Sequence, residues 1–406
     1  MTEHLYDRLP ALLKHAYKNA PAVKEIFNQA SISPDDIQSL EDLQKIPVTS
    51  KDRLVEMQRE RPPFGGFLAV PPDKLSRVFL SPGPLYEPST GDNPAWESIR
   101  LMLSLAGFTS EDVVLNTFGY HLIPTGIALD QILREMNATV IPAGVGNADL
   151  QVKMMHELGV TGYVGTPSWL MALLKKAEEV GLTPQKDLSL RTALVSAEPL
   201  PPPLRHRLVS EYGIKITNAY GTAELGFLAY DQVGGLEMRL LETAIIQVVH
   251  PDSGKTVNPG EAGEVVVTTF NPTYPLIRFG TGDLAVNVDP NPGKSRQGER
   301  SIILVGRLGE AVKVRGMFIH PNQLNFAFRQ VSGLVRAQAI VSREAHRDIL
   351  SLRVVLTQDS DEERSHQVLL QTIQAICRVK VDHIECVSPD AIPENSPLIR
   401  DVRTWE

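Results

Sequence analysis

The sequence predicts an α/β body, followed by an antiparallel β unit and a small α+β tail. Three observations carry this. From about residue 99 to 196, helix-length stretches alternate with short apolar strands. After residue 235 the chain changes to alternating segments separated by Gly, Pro and Asp turns. From about residue 310, strand-like and helix-like stretches mix again.

The elements follow in order. Leu9, Leu12, Leu13 and Tyr17 fall at helical spacing, and Pro21 can open the next segment. Ser33-Pro34-Asp35-Asp36 and Thr49-Ser50-Lys51-Asp52 each place a side-chain oxygen before an acidic first turn, as helix starts do. A helix-like stretch from Ile99 to Leu105 leads to the strand Val113-Val114-Leu115. A Gly/Pro-rich loop, a helix near 126–136 and the strand Ala138-Thr139-Val140-Ile141-Pro142 come next. Then follow a helix at 149–158, a strand at 162–165, a helix at 168–180 and the strand Thr192-Ala193-Leu194-Val195-Ser196. Such alternation implies parallel strands covered by helices. Segments 244–249 and 263–268 read as antiparallel strands, and 290–300 as an exposed loop. The tail reads as strands at 335–342 and 350–357 with a helix at 361–378.

Composition narrows the function classes. A chain of 406 residues exceeds one ordinary core and suggests roughly two to three domains. Its 42% apolar and 22% charged content is that of a globular protein rather than a disordered one. The net charge of −8 argues against a general nucleic-acid binder, which needs clustered cations. Only Cys377 and Cys386 occur, too few for a disulfide scaffold or a Cys-rich zinc site, so a reduced, cytoplasmic protein is expected. The residues after Met1 carry early acids and no apolar run, so no secretory signal is expected. No stretch approaches the ~18 consecutive apolar residues of a membrane span.

Three segments place polar residues on short loops after apolar strands, where open α/β sheets hold their ligands. They are Ser196-Ala197-Glu198-Pro199, the run Asn218 to Gly226, and the run Tyr274 to Asp283. Tyr220 offers a ring for stacking, Thr222 a hydroxyl, and Glu224 a carboxylate for a hard cation such as Mg²⁺. Asp283, after a Gly turn, can accept hydrogen bonds from two vicinal hydroxyls, as acids do with ribose. Taken alone, Gly280-Thr281-Gly282-Asp283 also reads as a plain turn.

Gly306-Arg307-Leu308-Gly309-Glu310 follows some way after Asp283 and leads into Ile319-His320-Pro321. With Ile37 to Asp52, Thr166-Pro167-Ser168, Ser196 to Pro199, Ala219 to Glu224 and Arg278 to Asp283, these motifs recur in one order across nearly the whole chain. In that order they resemble the phenylacetate–CoA ligase family of adenylate-forming enzymes. The resemblance implies a large N-terminal domain with parallel sheets and a β unit (1–307) and a small mobile C-terminal α+β domain (308–406). It implies that ATP and Mg²⁺ activate a small carboxylic acid to an acyl-adenylate, releasing pyrophosphate, and that coenzyme A then takes the acyl group. Carried over, Ser196, Ala197, Glu198 and Pro199 line the adenine, and Tyr220, followed by Gly221, flanks the adenine or the acyl ring. Thr222 touches the α-phosphate, Glu224 helps hold Mg²⁺, Asp283 binds the ribose hydroxyls, and Arg307 contacts ribose or phosphate. Thr222, Glu224 and Arg307 form the catalytic set. Phe118, Tyr120, His121, Ile123 and Ala219 build the acyl pocket, whose aromatic and branched walls suit an aryl or other apolar acid. His121 either orients a carboxylate or is a structural imidazole. Gly309 stands at the family's hinge position, and a homodimer is common among such enzymes.

The chain departs from the family at two places. The Ser/Thr/Gly-rich phosphate loop ending in Lys-Pro is replaced by Leu80-Ser81-Pro82-Gly83-Pro84-Leu85-Tyr86-Glu87-Pro88. Two prolines remove N–H donors there, and Glu87 replaces the lysine. A charged Glu87 would repel a polyphosphate by roughly 1 kcal/mol or more at ~4 Å. Ser89-Thr90-Gly91 would substitute only if the loop slips. At the other end, the resemblance implies a closing Gly-Lys-like segment whose lysine bridges the attacking carboxylate and the α-phosphate, but no lysine follows Lys380, leaving Arg400 or Arg403 to supply charge. Asp289 to Lys294 also replaces the Cys-x-Cys-Gly element of many members, so no metal is expected there. Three readings follow: an acid–CoA ligase, a catalytically impaired relative that binds a nucleotide or acyl-adenylate, and an adenylase that passes its product to a carrier or an amine.

Overall fold

A computed structural model describes residues 5–81, 83–91, 94–308, 312–315, 317–319, 321–344, 347–377 and 379–403. Pro82 of the degenerate loop and the expected hinge Gly309 lie outside the described residues. The chain forms two compact units, Met1–Leu308 and Gly309–Glu406.

The larger unit is built on a 12-stranded sheet. Its parallel part runs in the order Thr139–Ile141, Val113–Asn116, Gly162–Gly165, Thr192–Ser196 and Lys215–Thr222. The central positions of Val113–Asn116, Gly162–Gly165 and Thr192–Ser196 are apolar because helices cover both faces. Val114, Val164 and Leu194 face the helices Ala95–Ala106 and Pro124–Glu135. Leu115, Tyr163, Ala193 and Val195 face Ala148–Glu157 and Pro167–Glu179. The period-2 alternation of a strand thus feeds two cores at once.

The strand Gly226–Asp231 pairs antiparallel with Lys215–Thr222 and joins this region to the β unit. Beyond it lie Glu237–Leu240, Ser301–Arg307, Phe279–Val288, Ala262–Thr268 and Ile245–Val249, all antiparallel. Expected helices and strands recur within a few residues, whereas Phe279–Val288 extends through the Gly280-Thr281-Gly282-Asp283 run, which taken alone reads as a turn. Neighbouring strands on both sides satisfy its backbone groups, and this overrides the local glycine signal.

The strand Gly162–Gly165 ends in a close approach of side chains to its backbone. The buried Tyr163 hydroxyl accepts a hydrogen bond from Thr117 Oγ1 at 3.0 Å and donates to the Thr166 carbonyl at 2.9 Å. That arrangement passes over Gly165, where a Cβ would lie 2.0 Å from Thr117 Oγ1 and 2.2 Å from the Tyr163 hydroxyl. Gly165→Ala therefore destabilises the chain by roughly 1–3 kcal/mol through overpacking, read as a lower urea midpoint with an unchanged m-value.

The smaller unit holds a four-stranded sheet in the order His383–Cys386, Arg347–Leu356, Leu334–Glu344 and Ile399–Asp401. The helix Glu362–Cys377 packs Leu369, Ile373 and Cys377 onto Ala339, Val341, Leu350 and Leu352. Arg403 sits within an ion-pair network, 3.2 Å from Asp348 and 2.6 Å from Asp401 with its side chain 9% exposed. It is a structural residue of this unit rather than a spare cation. Arg400 is exposed on the terminal strand.

Candidate functional site

The expected site residues converge on the carboxyl end of the parallel sheet and the adjoining β unit. Ser196 ends its strand and donates to the Ala219 carbonyl at 2.7 Å, fixing two expected site residues together. Ala197 follows with φ 78°, a left-handed conformation that an alanine adopts only under local strain. Glu198 turns back to accept from the Ser168 backbone N–H at 2.7 Å, which fastens this loop to the helix Pro167–Glu179.

Tyr220, Asp283 and Arg307 form one cluster. The Tyr220 hydroxyl donates to Asp283 Oδ2 at 2.8 Å, and Arg307 Nε lies 3.0 Å from Asp283 Oδ1. Asp283 and Arg307 are register partners on adjacent antiparallel strands. Burial, with the neighbouring Asp283 carboxylate, holds the Tyr220 phenol far above its ordinary value, so it stays a hydrogen-bond donor.

The expected acyl pocket is only partly assembled. Phe118 packs against the apolar cluster that contains Ala219. Gly119 lies next to Ile123, 3.5 Å from a Cβ position to its Cδ1. Tyr120 instead accepts from Asn116 Nδ2 at 2.8 Å and donates to Asp130 at 3.2 Å, so its hydroxyl is committed to the protein. His121 is exposed.

The degenerate loop is an antiparallel hairpin, Arg77–Ser81 with Leu85–Ser89. Its register, from Arg77 opposite Ser89 to Ser81 opposite Leu85, puts Ser89 at the far end from the turn. Ser89 Oγ accepts from Gly91 N–H at 3.2 Å, and Thr90 bonds Thr273 at 3.1 Å. A one-residue slip would turn every side chain of the strand over, and in the observed register Ser89, Thr90 and Gly91 stand away from the hairpin turn.

A different residue, read from the sequence only as part of a helix start and of one recurring motif, stands beside that hairpin. Lys51 Nζ lies 2.6 Å from Glu224 Oε1, whose side chain is 3% exposed. Ser81 Oγ also reaches that oxygen, at 3.4 Å. A Cβ on Gly83, in the hairpin turn, would lie 2.9 Å from Lys51 Cε, and Gly83 has φ 134°. The turn therefore needs glycine twice, once for its backbone and once to admit the lysine. Lys51 is brought there by the β unit. Thr49–Ser50 pairs parallel with Phe279–Gly280, and Thr49 N–H donates to the Arg278 carbonyl at 3.0 Å. The buried Arg278 guanidinium donates to the Ile46 carbonyl at 2.6 Å and to the Gly254 carbonyl. Ser50 Oγ, accepting from Arg53 N–H at 3.2 Å, then starts the helix Lys51–Glu60 with Lys51 as its first residue.

Electrostatics around this lysine divide two buried carboxyls. Burial pushes Glu224 up, but the Lys51 ammonium outweighs it and holds the carboxyl below its usual range. Burial, reinforced by Glu224, pushes Glu87 up to about 8, and its Oε1 makes no hydrogen bond. Ser81 and the same Lys51 also lower Glu87, but by less than its surroundings raise it. Glu87 is thus mostly neutral at pH 7, and the charge repulsion expected from the sequence is largely absent. The consequence for stability has a definite sign. Between about 4.5 and about 8 the folded chain retains a proton on Glu87 that the unfolded chain has lost. Stability therefore falls as pH rises through this window and levels off above it. Glu87→Gln flattens that slope, measured by urea denaturation at pH 5.5 and pH 8.5.

Thr222 Oγ1 is buried with no hydrogen bond at bonding distance, though it lies close enough to Glu224 to help hold that carboxyl down. An orphaned hydroxyl beside an ionised carboxylate is a hard oxygen donor set and fits Mg²⁺.

A family model described as AMP-binding enzyme matches residues 106–272. The phenylacetate-coenzyme A ligase of Escherichia coli (strain K12) is 30% identical over 372 residues, covering 87% of this chain and 82% of that ligase. The phenylacetate-coenzyme A ligase of Thermus thermophilus is 28% identical over 396 residues, covering 93% and 85%. A solved structure of 2-hydroxyisobutyryl-CoA ligase with 2-HIB-AMP and CoA shares the fold, with TM-score 0.89 and 23% identity over 98% of this chain and 89% of that one. The match to the Escherichia coli enzyme runs through both units and most of that ligase, so this chain belongs to the phenylacetate–CoA ligase family, ATP-dependent acid–CoA ligases that work through an acyl-adenylate.

Proposed function

We propose that the chain joins an aromatic or similarly apolar carboxylic acid to coenzyme A, and that Lys51 supplies the phosphate-facing cation missing from its degenerate loop. The observation that carries this reading is the Lys51–Glu224 pair beside the hairpin Ser81–Leu85, next to the orphaned Thr222 hydroxyl. Adenine lies against Ser196, Ala197, Glu198 and Pro199. Asp283 exchanges its hydrogen bonds from Tyr220 and Arg307 for those of the ribose hydroxyls, or shares them. Thr222 donates to the α-phosphate, and Lys51 faces the leaving pyrophosphate.

In the first half-reaction a carboxylate oxygen of the acid attacks the α-phosphorus. The bond from that phosphorus to the β-phosphate bridging oxygen breaks, and pyrophosphate departs with the electron pair. Lys51 stabilises the charge that develops on this leaving group. Glu224, with Thr222, would hold Mg²⁺, whose part when bound is to neutralise phosphate charge. In the second half-reaction the coenzyme A thiolate attacks the acyl carbon and AMP leaves. Phe118, Ile123 and Ala219 favour an acid with few polar atoms.

The impaired-binder reading rests on two lost motifs. Similarity to the ligases along most of the chain does not favour it, and Lys51 offers a replacement for the first loss. The test is product analysis by mass spectrometry after incubation with Mg·ATP, coenzyme A and a panel of aryl and aliphatic acids. An acyl-CoA from an aryl or other apolar acid is the expected product. AMP binding without any acyl-CoA or acyl-adenylate supports the impaired binder. Acyl-adenylate that passes to an amine but never to coenzyme A supports the third reading.

A further inference from the structure

The smaller unit carries a second cluster of reactive side chains that the ligase reaction does not use. Glu362 and His366 stand four residues apart on the helix Glu362–Cys377, so they share one face. Cys386 ends the adjacent strand His383–Cys386. His366 Nε2 lies 3.4 Å from Cys386 Sγ and 3.9 Å from Glu362 Oε1. One ligand atom from each of the three lies within 4.8 Å of the other two.

We propose that Glu362, His366 and Cys386 form a three-ligand site for a borderline divalent cation, zinc above all. The donor set is one thiolate, one imidazole and one carboxylate, all types that zinc takes, whereas Mg²⁺ and Ca²⁺ favour only the carboxylate. The spacing agrees with this. Ligand bonds of about 2.3 Å to sulfur and about 2.0–2.1 Å to nitrogen and oxygen, opened at a tetrahedral angle, separate the donor atoms by roughly 3.4–3.6 Å. The observed sulfur–nitrogen distance is already there, and the nitrogen–oxygen distance needs a rotamer adjustment of an exposed glutamate. Two ligands from one helix turn and a third from a paired strand give a rigid base, since His383–Cys386 is held in register by Arg347–Leu356. Cys386 and Glu362 are exposed, so an ion can enter and the fourth position stays open to water. Binding transfers the Cys386 proton to solvent as the sulfur–metal bond forms. The geometry is independent of the nucleotide site, because Glu224 and its partners belong to the larger unit.

The full chain is tested by adding Co²⁺ as a spectroscopic probe, and Zn²⁺ in competition with a chromogenic chelator. One equivalent of Co²⁺ should give a thiolate-to-cobalt charge-transfer band that Zn²⁺ abolishes. Cys386→Ser and His366→Ala should each remove the band and weaken Zn²⁺ binding at least about tenfold, the least that even an outer partner's loss costs. Cys377→Ser should leave both unchanged, which separates this site from the buried thiol. Absence of the band, or Zn²⁺ affinity equal in Cys386→Ser and the parent chain, overturns the proposal and leaves the cluster as an ordinary helix-surface pair capped by a thiol.

Discussion

Lys51→Gln lowers the rate of pyrophosphate release by on the order of 10²–10³-fold, the usual effect of removing one group that stabilises transition-state charge. The affinity for AMP changes little, because AMP lacks the phosphates that Lys51 faces. Lys51→Arg keeps the charge but not the compact ammonium beside Gly83, so it restores only part of the rate. The same substitution also costs stability. Glu224 is 3% exposed and loses its counter-ion, which costs toward the lower end of about 3–5 kcal/mol because Lys51 itself keeps some access to water. The double variant Lys51→Gln, Glu224→Gln isolates the stability effect, since no buried charge is left uncompensated, and it should recover most of the lost stability. Turnover in Lys51→Gln equal to that of the parent chain would make Lys51 a structural counter-ion and nothing more.

Asp283→Asn weakens AMP binding about ten- to a hundredfold by calorimetry, as expected when hydrogen bonds to a charged acceptor worth about 1.5–3 kcal/mol are lost. The carboxylate accepts on two sides, from Tyr220 and from Arg307. An asparagine of the same shape offers one acceptor and turns a donor toward one of two donors. Tyr220→Phe removes a single donor and should cost less than tenfold. Should Asp283→Asn bind AMP as the parent does, the carboxylate serves only to staple the strands Phe279–Val288 and Ser301–Arg307 together.

The larger unit's parallel core was readable because its strands are short apolar runs between helices of ordinary length, and both faces of the sheet are covered. Tyr220, Asp283 and Arg307 are each candidate site residues by the motifs around them, and the structure brings them within hydrogen-bonding distance of one another. Their mutual contacts were not legible, since the pairing of Asp283 with Arg307 depends on sheet register. Lys51 was visible only as the first residue of a capped helix. Its neighbour Glu224 lies far along the chain, and the two meet because Arg278 fastens the segment at Ile46 to the β unit. The neutral Glu87 was also hidden, because residue type gives a carboxyl its ordinary charge and only burial changes it. Arg403 erred in the other direction. It reads as a free basic residue in the tail, and the fold spends it on Asp348 and Asp401.

Pyrophosphate release by the unaltered chain with Mg·ATP, an aryl acid and coenzyme A, run beside titration with AMP, tests the central claim most directly. Turnover that depends on the acid and falls on the order of a hundredfold or more in Lys51→Gln is the predicted result. Saturable AMP binding with no pyrophosphate from any acid, or turnover indifferent to Lys51, would contradict it.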